Sequence, residues 1–243
     1  MRRFVDLRLR PSINDPDQVE RMIRKSSELG YRLVGIPLPP NATRDKVDQL
    51  QRICSDTKID FVARVDFAPK TPGELLQDLR RFRRRFGVVS VTCISKRVTR
   101  QAAKDRRVDL LLFPATDIRK RFFDHAEAEL ASKAFSCLEI EMAPLLSLSG
   151  SSRIHLLSRL RREVAIAKKS NVPVVISSGA TNQYLMRNPH DYAALVTLFN
   201  MPLPYALRAL SEDPLAIVER NREKLSPDYV APGIRVVRRK NCV

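Results

Sequence analysis

Ile59-Asp60-Phe61-Val62-Ala63-Arg64-Val65-Asp66-Phe67 reads as a strand, and Thr71-Pro72-Gly73-Glu74 starts a helix four residues later. Phe61, Ala63, Val65 and Phe67 alternate with Arg64 and Asp66, the two-residue period of a strand with one apolar face. Thr71 has the side chain of an N-cap, Pro72 suits the first helical position, and Glu74 sits where it closes a capping box. The helix that follows places Leu75, Leu79, Phe82 and Phe86 on one face, and Gly87 reads as its stop. Val88–Ile94 is then a second apolar run of strand length. Strand, helix, strand in this order implies a right-handed crossover between parallel neighbours.

The unit recurs. Phe4–Leu9, Leu33–Ile36, Val108–Phe113, Cys137–Met142 and Val174–Ser178 are further apolar runs, most of them separated by helix-length segments. Gly30 reads as a helix stop, and Asn188-Pro189 and Asp213-Pro214 as helix starts. Seven strands in a chain of 243 residues predict an α/β fold. The expected form is an imperfect TIM-like (β/α) barrel of about seven parallel strands, with a doubly wound open sheet as runner-up. No eighth strand is evident. From Asn188 to Leu225 the pattern is helical, broken by Pro202, Pro204 and Pro214, so extra C-terminal helices are expected to complete the barrel. Residues 1–230 read as one domain and 231–243 as a basic C-terminal tail.

Alternation also sorts the charges. Val5, Leu7 and Leu9 alternate with Asp6 and Arg8, and Leu138, Ile140 and Met142 with Glu139 and Glu141. If the apolar faces meet the helices, Asp6, Asp66, Glu139 and Glu141 share the barrel interior with Arg8 and Arg64. Charges there are tolerable only when paired. An acidic metal or acid–base site is one reading. An arginine–carboxylate network is favoured, because two arginines at matching depth supply the counter-charge a cation would otherwise bring.

Catalytic motifs are scarce. The three histidines, His125, His155 and His190, are far apart and outside the predicted strands. His125-Ala126-Glu127 lacks the cysteine partner of a zinc deaminase. Seven glycines form no phosphate-cradling loop, although Ser177-Ser178-Gly179-Ala180 ends a strand in a turn. Cys54, Cys93, Cys137 and Cys242 form no C-x-x-C pair, against a zinc module or disulfide framework. No stretch is apolar enough for a membrane span and no targeting segment is apparent, so an intracellular, cytoplasmic protein without a membrane partner is expected.

Charge is the strongest feature. Forty-four Lys and Arg against 27 Asp and Glu give a net charge of +17. A field of that size attracts polyanions, nucleic acid first. The cations cluster at Arg80–Arg85, Lys96–Arg107, Arg119–Arg121 and Arg159–Lys169, on several elements, which predicts a continuous phosphate-binding surface. Arg8, Lys96 and Arg97 fall at predicted strand ends, and Arg161, Arg162 and Lys168 on the helix after Ser151; these are the candidate RNA-binding residues. Aromatics are 6% and, apart from the core residue Phe82, do not interleave with the basic runs. Backbone recognition is therefore expected rather than base stacking.

Over residues 2–225 the chain resembles the TIM-barrel protein subunits of archaeal and eukaryotic ribonuclease P (archaeal component 3). The resemblance rests on Phe4-Val5-Asp6-Leu7, Arg107-Val108-Asp109-Leu110, Leu138-Glu139-Ile140-Glu141, Val174–Ala180 and Asp213-Pro214-Leu215-Ala216-Ile217-Val218, in that order. It adds Arg107 to the RNA-binding candidates. It implies a non-catalytic subunit that binds the catalytic RNA and supports 5′-leader removal from precursor tRNA. That chemistry belongs to the RNA and its Mg²⁺, with no cofactor bound by this chain and no activity expected from it alone. A small RNA-binding protein subunit is the implied partner, and precursor tRNA an indirect one. The family is similar to polymerase-and-histidinol-phosphatase barrels, whose first-strand metal histidines are Asp6 and Arg8 here. The rival readings are a metal-dependent phosphoesterase using Asp6, Asp66, Glu139 and Glu141, and a small-molecule enzyme from a generally basic proteome.

Overall fold

A computed structural model describes residues 2–115, 117–231 and 234–236. Seven parallel strands form one sheet in chain order: β1 (Phe4–Asp6), β2 (Tyr31–Pro37), β3 (Asp60–Phe67), β4 (Val88–Thr92), β5 (Leu110–Leu112), β6 (Cys137–Glu141) and β7 (Val174–Ser177). The helices α1 (Pro16–Glu28), α2 (Arg44–Asp56), α3 (Pro72–Phe82), α4 (Lys96–Lys104), α5 (His125–Ala134), α6 (Ala143–Ser147) and α7 (Gly150–Lys169) lie between them. After β7 come α8 (Pro189–Leu195), α9 (Leu203–Ala209) and α10 (Glu212–Leu225). The expected tail lies largely outside the described residues. Within them, β8 (Tyr229–Ala231) pairs antiparallel with β9 (Ile234–Arg235).

The sheet curls into a nearly closed barrel. β1 and β7 are not paired as strands, and the seam is bridged above and below. Above, Gly179 N–H donates to Arg8 O (3.0 Å) and Arg10 N–H to Ala180 O (2.8 Å). Below, Val5 N–H donates to Leu210 O at the end of α9 (2.9 Å). The C-terminal helices thus complete the barrel, as expected.

Most local signals hold. Thr71 Oγ1 accepts from Glu74 N–H (3.2 Å) while Glu74 Oε2 accepts from Lys70 N–H (2.7 Å), and Asn188 caps His190 N–H. Gly30 takes φ +96° just after α1. Two signals differ. The N-cap of α10 is Ser211, and Asp213 sits in its first turn, paired with Arg208 (2.9 Å). Gly87 stops nothing by its dihedral; a Cβ there would lie 2.4 Å from Val62 Cγ2, so it serves close packing.

Two cores result. Phe61, Val65, Phe67, Leu138, Ile140 and Met142 pack outward against the helices. Val5, Leu7, Leu33, Val62, Val88, Leu110, Cys137 and Val175 line the lower barrel interior, plugged by Ile217 and Val218 of α10. This reverses part of the expectation for β1. Val5 and Leu7 face inward and join the apolar plug, while Leu9 packs with the outer core and Arg8 reaches into the mouth as expected.

Candidate nucleic-acid interface

Above the apolar plug, the barrel mouth holds an ion-pair network. Arg64 is fully buried and straddles the interior. Its Nη1 and Nη2 donate to Glu139 Oε1 and Oε2 (2.5 and 2.6 Å), its Nε to Asp66 Oδ1 (2.6 Å), and its Nη1 also to Leu7 O (3.0 Å). Ser177 and Ser90 donate to the same Glu139 carboxylate (2.7 and 3.3 Å). One layer higher, Arg8 Nε and Nη2 reach Asp66 Oδ2 (both 2.9 Å), and Nη1 pairs with Glu141. Gly179, at φ +63°, makes room: a Cβ there would meet Glu141 Oε1 at 2.5 Å.

Burial would raise the Asp66 carboxyl, but Arg64 and Arg8 hold it below the ordinary value. Glu141 is pushed up by burial, partly opposed by Arg8. Asp6 stands apart. Its Oδ1 accepts from Ser178 N–H (3.0 Å) and Arg8 N–H (3.1 Å), and burial raises its carboxyl. The four carboxylates of the phosphoesterase reading therefore do not converge. Three bind guanidinium groups and the fourth caps backbone. Among the described residues no three His, Cys, Asp or Glu side chains are placed to hold a metal ion.

This geometry moves Arg8 out of the RNA-binding set. Its side chain is 9% exposed and its charge is consumed by Asp66 and Glu141. The other candidates do not share one surface either. Lys96 of α4 and Arg162 of α7 line one cavity of about 170 Å³, together with Arg159. Its floor is the buried pair Arg121–Glu163, in which Nε and Nη2 donate to the two carboxylate oxygens (2.8 and 2.5 Å). Arg97 follows Lys96 in the first turn of α4 and is exposed. Arg97, Arg159 and Arg162 form no ion pair among the described residues, while Lys96 meets Asp124 at 3.2 Å. Two cations in a helix first turn oppose the macrodipole, an arrangement relieved by a bound anion.

Arg161 is turned away, donating to Leu198 O (2.9 Å). Arg107 is clamped by Asp105 (2.9 and 2.7 Å) just before β5, and Lys168 lines a separate cavity with Arg208 just before β7. Both precede strands, so they lie toward the strand N-terminal ends, away from the mouth. Sequence reasoning grouped Arg121 with the surface cations; its partner Glu163 lies on α7, 42 residues away, and carries no local signal.

Among the described residues no helix is long and apolar enough to cross a membrane. Cys54, Cys93 and Cys137 are buried, unbridged, and pushed by burial to about 12.

The molecule is thus a basic α/β barrel whose mouth is closed by internal ion pairs and whose surplus cations lie outside, several of them together on one flank. Comparison with known proteins gives the family: the chain belongs to the RNase P subunit p30 family, whose model matches residues 3–226. The ribonuclease P protein component 3 of Methanococcoides burtonii is 27% identical over 97% of this chain and 94% of its own length. That of Methanosarcina barkeri is 30% identical over 92% and 90%. A chain in the cryo-EM structure of archaeal ribonuclease P with mature tRNA superposes with a TM-score of 0.83, at 23% identity, covering 98% of this chain and 99% of that one. A. niger ochratoxinase shares the barrel alone, with a TM-score of 0.60 at 12% identity.

Proposed function

We propose that this chain is a non-catalytic protein subunit of ribonuclease P, which binds the catalytic RNA and supports 5′-leader removal from precursor tRNA. The relatives named ribonuclease P protein component 3 support the assignment along nearly the whole chain. The observation that carries the non-catalytic part is the pairing of Arg64 and Arg8 with Glu139, Asp66 and Glu141 at the barrel mouth. Such barrels keep their chemistry at that end. Here the carboxylates are already bonded to the protein's own guanidinium groups, which occupy the place a divalent ion would need.

The physical role follows from charge. A folded RNA brings phosphates close together, and a basic protein surface lowers that repulsion and reduces the Mg²⁺ the fold requires. Lys96, Arg97, Arg159 and Arg162 are the cations we assign to phosphates, with Arg161, Arg107 and Lys168 as peripheral contacts. The chain itself binds no cofactor in this reading, and the Mg²⁺ belongs to the RNA. A small RNA-binding protein subunit is the proposed protein partner, precursor tRNA an indirect one, and the cytoplasm the proposed compartment.

The test is reconstitution of the holoenzyme with Lys96→Ala/Arg162→Ala. Processing of precursor tRNA should demand more Mg²⁺ than with the unsubstituted chain. Unchanged Mg²⁺ dependence would remove these residues from the interface. Phosphoester hydrolysis by the isolated chain, stopped by EDTA, would overturn the non-catalytic reading.

A further inference from the structure

A second basic cavity lies at the other end of the molecule, beside residues that lead into β5 and β6. Its volume is about 390 Å³, within the ~300–1,000 Å³ range of ligand sites. Arg106, Arg220 and Lys224 line it together with Phe135, Tyr229 and Glu223. Asp109 is buried and fixes the arginines from behind, accepting from Arg220 Nη2 (2.9 Å) at one oxygen and Arg83 Nη2 (3.4 Å) at the other. Arg220 Nη1 donates to Phe135 O (3.2 Å), while its buried Nε has no hydrogen-bond partner. Four cations thus gather around two carboxylates. The crowding has a signature in Lys224, whose ammonium is lowered by burial and by Arg220, Arg83 and Arg106.

Phe135 is the unexpected member. It ends α5 at φ +63°, a conformation that favours glycine or asparagine. Asn171 and Asn200 take the corresponding conformation after α7 and before α9. A phenylalanine there is strained and gains little from burial, since it is 62% exposed. Its ring instead faces a guanidinium, with Arg106 Cζ 5.8 Å from the centroid. An exposed ring beside a guanidinium and among surplus cations is the chemistry that takes an unpaired nucleobase and its phosphates.

We propose that this cavity is a second RNA contact, in which Phe135 stacks on an unpaired base and Arg106, Arg220 and Lys224 hold the flanking phosphates. The inference rests on reading the chain as an RNA-binding subunit and adds base stacking to the phosphate contacts of the Lys96–Arg162 flank. An acidic protein segment would match the cations and leave the strained ring without a role.

The experiment uses the full chain and a single-stranded octaadenylate carrying one 2-aminopurine, whose fluorescence falls on stacking. The unsubstituted protein should quench it. Phe135→Leu should weaken binding by about 5- to 100-fold and abolish quenching, as expected for losing one stacked base. Phe135→Tyr should retain both. Phe135→Gly, which relaxes the backbone and keeps the fold, should behave as Phe135→Leu. Equal affinity and quenching in Phe135→Leu, with binding lost in Lys96→Ala/Arg162→Ala, would overturn this inference and leave the parent reading standing. Absence of RNA binding by the unsubstituted chain at low salt would overturn both. Unchanged RNA binding in Phe135→Leu with loss of another ribonuclease P protein would assign the cavity to a protein and overturn the inference.

Discussion

Arg64 carries its charge with no exposed surface, and Glu139 and Asp66 of the barrel mouth both bind it. Burial opposes that charge. Asp66 and Glu139 overcome the penalty and raise the guanidinium above its ordinary value. A buried pair of this kind adds little net stability over an apolar filling, yet breaking one side of it is severe. Arg64→Met should therefore destabilise the fold by about 3–5 kcal/mol in urea denaturation, because Glu139 is left buried without its partner. Arg64→Met/Glu139→Leu should lose less than the single change, and additive losses would show that the pair is not coupled. Gly179→Ala tests the layer above. It forces a side chain into φ +63° and against Glu141 Oε1 at 2.5 Å. The expected loss exceeds about 1 kcal/mol in the same assay.

At the scale of elements, ion pairs tie the strands to the helices. Asp60, at the start of β3, binds Arg222 of α10 through both oxygens (2.7 Å each) and Arg3 (2.8 Å). Burial alone would raise its carboxyl; Arg222 and Arg3 pull it below the ordinary value. A carboxyl lowered in the folded state stabilises above its unfolded pKa of about 4 and loses that contribution as pH falls through the folded value. Asp66, lowered by Arg64 and Arg8, has the same sign. Glu141 and Asp6, raised by burial, have the opposite sign and partly offset the loss. The melting temperature should drop between pH 5 and 3, and Asp60→Asn should flatten that slope at the expense of stability at neutral pH. A slope unchanged by Asp60→Asn would mean that this pair does not stabilise the fold. Elements also set what was legible beforehand. The alternation in β3 and β6 placed Arg64, Asp66, Glu139 and Glu141 inside, since those strands are regular over 8 and 5 residues. In β1 it failed for Val5 and Leu7, because the strand spans 3 residues and alternation does not say that α10 supplies an apolar plug for an inward face. Arg121–Glu163 and Arg106–Phe135 were invisible because each joins residues far apart in the chain.

For the whole molecule, a net charge of +17 is a term in binding, and its distribution decides how it acts. The inner charges cancel locally: Arg8 and Arg64 face Asp66, Glu139 and Glu141, with Arg10 3.9 Å from Glu141. The surplus therefore lies outside, and the Lys96–Arg162 flank and the Phe135 cavity present part of it from different parts of the barrel. A surface of this kind binds RNA largely by releasing counterions, with a salt slope near −0.9 per phosphate on a duplex and nearer −0.7 on a single strand. About six phosphates neutralised on a folded RNA should lower affinity on the order of 10³-fold between 50 and 200 mM salt. Lys96→Ala/Arg162→Ala removes two surface cations outside the core, so its melting temperature should stay close to that of the unsubstituted protein while the slope flattens by about 1.8. The affinity should fall similarly across RNA sequences, because phosphate contacts carry no base information. A titration series in salt, read by electrophoretic mobility or anisotropy, checks slope and uniformity together. A slope near zero would mean that the charge meets no RNA, and a sequence-dependent loss would mean that Lys96 and Arg162 read bases.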